Sequence, residues 1–197
     1  MEKLIRIFRK HSGYALMRDL KFLKIQTRDI SHAVTSGLIE KVKPGLYKLK
    51  DYPWGEHNAL VDVCRAKQDA VICLTSALDY HGLTTFNPSV VTVAVPHSAS
   101  RFALLYPPIS LFYFREAFYS TGIQTIQTKN GGIRIYNREK TICDMFRYRK
   151  KLGEDLALEG LKNYLKLKQA NVNKLKRYAE ICQVKTVLTP YLKAILG

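Results

Sequence analysis

A chain of 197 residues with a net charge of +16 has room for one domain, or for a small module joined to a larger one. Apolar residues make up 47% of it and aromatics 11%, which is enough for a packed core and excludes a disordered polycation. No apolar run approaches the roughly 18 residues of a membrane span, and the charged opening MEKLIRIFRK does not read as a secretory leader.

The charge is unevenly spread. Residues 1–55 hold 12 Lys/Arg against 5 Asp/Glu, residues 56–140 hold 8 against 6, and residues 141–197 hold 12 against 5. Two basic ends around a nearly neutral middle point to a polyanionic partner, nucleic acid first. A basic surface that merely aids solubility is the plain alternative. The four cysteines (Cys64, Cys73, Cys143, Cys182) form no C-x-x-C pair. That argues against zinc and against a disulfide framework, and for free thiols in a reducing cytoplasm.

Residues 2–12 place Leu4, Ile5, Phe8 and His11 at helical spacing. Gly13 ends that stretch, and 14–23 carry a second stripe of Leu16, Leu20 and Leu23. A third helix runs from Thr27, a good N-cap, to Gly37, placed where a C′ glycine belongs. Its core face is Ile30, Ala33 and Val34, continued by Leu38. Its outer face is Arg28, Ser31, His32, Thr35 and Ser36, short polar or cationic groups that can donate hydrogen bonds. Next comes GLIEKVKPGLYKL, two alternating runs broken at Pro44-Gly45, a pairing that favours a type II turn. Val42 and Leu46 are expected to face the helices, and Lys41, Lys43 and Lys48 to face out.

This order is that of a winged helix-turn-helix over residues 1–52. In that motif the third helix reads the major groove and the wing lysines meet phosphate. A three-helix knot with a solvated polar face is the structural alternative.

Residues 51–55 read as a linker. A second domain over 56–197 is then expected to be mixed α/β with antiparallel strands and a helical C-terminal part, making the whole chain α+β. It starts with a helix from about residue 56 to 66. An apolar run follows over 70–74, then a helix capped by Thr75 or Ser76 and stopped at Gly82, then a strand over 90–95. ISLFYFRE reads as another strand. GIQTIQTKNGGIRIY reads as a hairpin with a type I′ signal at Asn130-Gly131. Asn137 can cap the helix REKTICDMFRYRKKL. Two more helices and a closing segment with Pro190 complete the chain. Lys162, Lys166, Lys168, Lys174, Lys176 and Arg177 form a possible second basic surface, though such charge runs are usually only solvated.

Sequence signs of catalysis are missing. None of the five histidines forms H-x-x-x-H or H-E-x-x-H, and there is no phosphate-binding glycine loop or nucleophile elbow. His81 is expected to bond a backbone carbonyl, and Asp144 to pair within its own domain. The reading is a non-enzyme without metal or cofactor.

Several blocks resemble the AbiEi-type antitoxins of type IV toxin–antitoxin systems. Gly37-Leu38-Ile39 and Gly45-Leu46-Tyr47 match the end of that family's N-terminal winged helix. SALDYHGL, followed by Pro88 and VVTVAVP, resembles the start of its C-terminal domain. Glu139, Lys140, Thr141, Ile142 and Asp144 match a later block of the form e-k-T-[IL]-x-D. The resemblance covers most of residues 13–150. It implies a DNA-binding autorepressor of its own operon, seated on inverted repeats of operator DNA. It also implies that the protein counteracts a cognate nucleotidyltransferase toxin, directly or functionally, in phage defence by abortive infection. A transcription regulator without a toxin, whose C-terminal domain senses a ligand or dimerises, is the alternative.

Overall fold

The computed structural model describes residues 1–197. The chain is α+β and divides into two compact units. The first comprises residues 1–68 with 102–108 and 127–133, and the second comprises 69–101, 109–126 and 134–197. No helix is long and apolar enough to cross a membrane.

The first unit opens with α1 (Glu2–Lys10), followed by β1 (Tyr14–Leu16), α2 (Met17–Phe22) and α3 (Thr27–Thr35). The strands β2 (Ile39–Lys43) and β3 (Leu46–Leu49) lead to α4 (Asn58–Ala66). The second helix is therefore shorter than the leucine stripe suggests. Tyr14, Ala15 and Leu16 are extended and pair antiparallel with Lys48, Tyr47 and Leu46, giving a three-stranded sheet of order β1-β3-β2. A three-residue strand supplies too few side chains for an alternation to show, so its leucine falls in with the helical spacing that follows.

Leu4 and Phe8 of α1, Leu20 of α2 and Ile30 and Ala33 of α3 close over Ile39, Tyr47 and Leu49 of the sheet. Val34, expected in the core, is 37% exposed. Thr27 lies one residue inside α3: Gln26 occupies the N-cap, and no side chain caps the helix. The C-terminus follows expectation. The Gly37 N–H donates to the Val34 carbonyl at 3.0 Å and the Leu38 N–H to the Ala33 carbonyl at 2.9 Å, with Gly37 at φ 73°. That is a Schellman closure, and it turns the chain directly into β2. Pro44 and Gly45 form the hairpin turn, with Gly45 at φ 81°, as a type II turn requires of its third residue.

The helix α4, assigned from sequence to the second domain, belongs to the first unit. It buries Leu60, Val61, Val63 and Ala66.

The second unit contains β4 (Val71–Ile72), α5 (Leu74–Tyr80), β5 (Val91–Pro96), β6 (Ile109–Phe114) and α6 (Glu116–Tyr119). The hairpin strands β7 (Ile123–Thr128) and β8 (Gly131–Tyr136) follow; residues 127–133 at their tip are counted with the first unit. The unit is completed by α7 (Arg138–Arg147), α8 (Arg149–Leu152), α9 (Glu154–Leu165), α10 (Val172–Ile181) and α11 (Lys185–Leu196).

The sheet order is β6-β5-β4-β8-β7. It has the expected antiparallel pairing, β4 with β5, and adds two parallel pairs, β5–β6 and β4–β8, so the sheet is mixed. The interior strand β5 is buried from Val91 to Val95, as its continuous apolar run suggests, whereas the edge strand β6 leaves Tyr113 40% exposed. The turn at 129–130 is not type I′, since neither Lys129 nor Asn130 has a positive φ. Instead the Thr128 hydroxyl donates to the Gly131 carbonyl at 2.7 Å and accepts from the N–H groups of Asn130 and Gly131.

The core of this unit packs Leu74 and Leu78 of α5, Phe112 and Phe114 of β6, Ile142 and Phe146 of α7, Leu161 and Tyr164 of α9 and Leu175 of α10. Thr75 and Ser76 do not cap α5. They bond across to Thr92 of β5, whose N–H donates to the Ser76 hydroxyl at 2.9 Å. Asn137 does cap α7, accepting from the Lys140 N–H at 3.0 Å. The helix predicted through residue 152 is interrupted at Tyr148, and Pro190 sits inside α11.

Candidate nucleic-acid interface

The polar face of α3 stands open. Arg28, Ser31, His32, Thr35 and Ser36 are all exposed, while Ile30 and Ala33 on the opposite face are 1% and 0% exposed. An amphipathic helix of this kind is fixed by its apolar face and leaves the other free for a partner. The side chains are not equivalent. The Thr35 hydroxyl donates back to the Ser31 carbonyl at 3.0 Å, and the Ser36 hydroxyl to the Ala33 carbonyl at 3.2 Å. Their protons are spent on the helix, and their oxygens remain as acceptors. Arg28, Ser31 and His32 are the donors this face presents.

The three hairpin lysines take three different environments. Lys41 is exposed. Lys43 is half-buried, and its ammonium donates to the Ala66 carbonyl at the end of α4. Lys48 does not face out: its side chain is 10% exposed and makes ion pairs with Asp62 at 2.7 Å and Glu40 at 3.1 Å. It also lies 5.5 Å from the centre of the Trp54 ring. The cause is topological. Strand β3 is the middle strand of the sheet, all four of its residues are buried, and α4 brings Asp62 to it. Desolvation would lower the Lys48 pKa, but the bonds and charge of Asp62 and Glu40 outweigh it and raise the value.

Tyr14, Asp62 and Arg65 organise this unit and carry no local sequence signal. The Tyr14 hydroxyl donates to Asp62 at 2.7 Å, and the Arg65 guanidinium sits 4.3 Å from the centre of the Tyr14 ring. Burial, reinforced by the Asp62 charge, pushes the Tyr14 phenol far up, so it stays protonated as a donor. Burial also raises the Asp62 carboxyl, with Lys48 and Tyr14 pulling against it. Arg65 donates to the Asn130 carbonyl at 2.8 Å, and the Asn130 side chain accepts from the Gly55 N–H at 2.9 Å. The partners lie 48 to 75 residues apart, or across the supposed linker, so no spacing reveals them.

In the second unit Lys162, Lys166 and Lys168 are exposed, as are Lys176 and Arg177 on α10. Lys174 is half-buried and bound to Glu139 at 2.9 Å, which takes it out of the free basic surface. His81 sits in its expected environment: its Nε2 lies 2.7 Å from the Tyr136 carbonyl, and burial lowers its pKa despite that bond. Asp144 pairs with Lys140 at 2.6 Å, both fully buried, beneath the Tyr136 and Phe114 rings.

Comparison of the chain with protein-family models and with curated proteins gives no match.

Proposed function

We propose that the first unit is a winged helix-turn-helix that binds duplex DNA, and that the protein is a DNA-binding autorepressor and antitoxin of the AbiEi type. The observation that supports this is the solvent-open face of α3, with Arg28, Ser31 and His32 as donors, in a basic unit whose next element is a lysine-bearing hairpin. Arg is suited to the O6/N7 edge of guanine, and Ser and His reach bases or phosphates. Lys41 is the wing residue best placed for phosphate. Lys48 is reassigned from contact to scaffold.

The toxin in this reading is a nucleotidyltransferase encoded beside the protein, and the support for it is the sequence resemblance. Co-expression tests it. The protein should restore growth to cells expressing the neighbouring nucleotidyltransferase, and failure to do so removes the antitoxin part of the proposal.

One feature favours a ligand-sensing regulator as a second reading. A polar cavity of about 380 Å³ in the second unit is lined by His81, Arg138, Glu139 and Lys174, and the desolvated Nε of Arg138 has no partner. A regulator of that kind would bind its operator but leave the toxin's effect unchanged.

A further inference from the structure

Four cationic side chains from three separate stretches of the first unit line one open cleft of about 610 Å³. They are Arg18 and Lys21 on α2, Lys43 at the end of β2, and Arg65 on α4. No carboxylate is among the lining residues. Like charges gathered around an open volume repel one another, and an anion entering that volume relieves the repulsion.

The cleft has an anchored wall and a solvent-exposed one. Arg65 is held by the Asn130 carbonyl, at 3.3 Å from Nε and 2.8 Å from Nη2, and by the Tyr14 ring. Lys43 is held by the Ala66 carbonyl. The Met17 N–H donates to the Gly45 carbonyl at 2.8 Å, which ties the start of α2 to the hairpin turn. Arg18 and Lys21 are exposed, with the Arg18 side chain at 82%, and its 3.4 Å pairing with Asp19 is itself solvent-washed. Such a pair is held weakly and gives way to a stronger anion. Two anchored cations beside two exposed ones offer charge-assisted donors to a phosphate group from both sides of the cleft.

We propose that this cleft is a phosphate seat and that its ligand is the phosphodiester backbone of nucleic acid. The choice of nucleic acid as the source rests on the DNA-binding reading above; the phosphate chemistry does not. The seat adds Arg18, Lys21 and Arg65 to the contacts expected of α3 and the hairpin.

The test is the double variant Arg18→Ala/Lys21→Ala, which alters exposed side chains and leaves the Tyr14–Asp62–Lys48 scaffold intact. Lys185→Ala/Lys193→Ala on α11 removes the same net charge and serves as control. Binding of each protein to a fluorescent duplex is measured against salt concentration, and tripolyphosphate binding is followed by calorimetry. The first variant should lower the salt slope by roughly 2, at roughly 0.9 for each phosphate left unneutralised, and the control should not. Tripolyphosphate should bind the parent and the control but not the first variant. If only tripolyphosphate binding changes, the nucleic-acid source is wrong. If neither changes, the seat is refuted. A parent that binds no duplex at all defeats the DNA reading, and the tripolyphosphate measurement then decides the seat by itself.

Discussion

The Lys48 ammonium lies 2.7 Å from the Asp62 carboxylate, pinning the middle strand of the N-terminal sheet to α4 through an acid that is 1% exposed. A lysine that reads as a phosphate contact is thereby a structural cation. Asp62→Ala removes the shortest acceptor of each group, leaving Lys48 only the half-exposed Glu40 at 3.1 Å and the Tyr14 hydroxyl only the Asn58 side chain at 3.1 Å. Removing one partner of a buried pair costs about 3 kcal/mol, and urea unfolding should show a loss of that order. Lys48→Ala should also destabilise. Measured where that variant is folded, the salt slope of its DNA binding should match the parent, whereas Lys41→Ala should lower it by roughly 0.9.

The Lys140–Asp144 pair lies at 0% exposure on both sides, inside the second unit's core. Burial raises the Asp144 carboxyl, and Lys140 opposes that rise. Lys140→Met strands the carboxylate, and Asp144→Leu strands the ammonium. Each should cost about 3–5 kcal/mol in urea unfolding. The double variant Lys140→Met/Asp144→Leu replaces the pair with apolar bulk and should lose less than either single change. Additive losses would show that the two charges do not act as a unit.

Glu139 accepts from the Tyr164 hydroxyl at 2.9 Å and pairs with Lys174. Burial would raise its carboxyl, but the bonds from Lys174, from its own N–H and from Tyr164 together hold it below the usual 4.5. A folded-state value below the unfolded one means that the unfolded chain takes up the proton first. The resulting stability is present above pH 4.5 and is lost as pH falls through the folded value. Glu139→Gln keeps a hydrogen-bonding group of similar shape and removes the titration. The stability gap between parent and variant should narrow from about pH 6 to about pH 3. A gap that stays constant over that range would show that Glu139 does not titrate abnormally.

The amphipathic elements are legible in the sequence: α1, α3 with its Gly37 closure, the 39–49 hairpin, the Asn137 cap and the continuous apolar strands all follow from local spacing. The rest depends on partners far along the chain. Strand β1 exists because Tyr14–Leu16 pairs with residues thirty or more positions later. The inward turn of Lys48 depends on Asp62, which lies beyond what composition marks as a linker, and the hold on Arg65 comes from the carbonyl of Asn130. Thr75 and Ser76 sit at a helix start, but their hydroxyls meet Thr92 of β5, whose N–H donates to the Ser76 hydroxyl. The outer face of α3 is legible as polar and exposed because no distant partner covers it.

The proposed DNA-reading role of α3 has a direct test. Fluorescence anisotropy with the duplex from immediately upstream of the protein's own reading frame, and with a shuffled duplex of equal length, tests it at one fixed salt concentration. The parent should prefer the upstream duplex, and Arg28→Ala should lose about 1–3 kcal/mol of that preference while keeping its affinity for the shuffled one. A parent that binds both duplexes equally, with Arg28→Ala indistinguishable from it, would rule that role out.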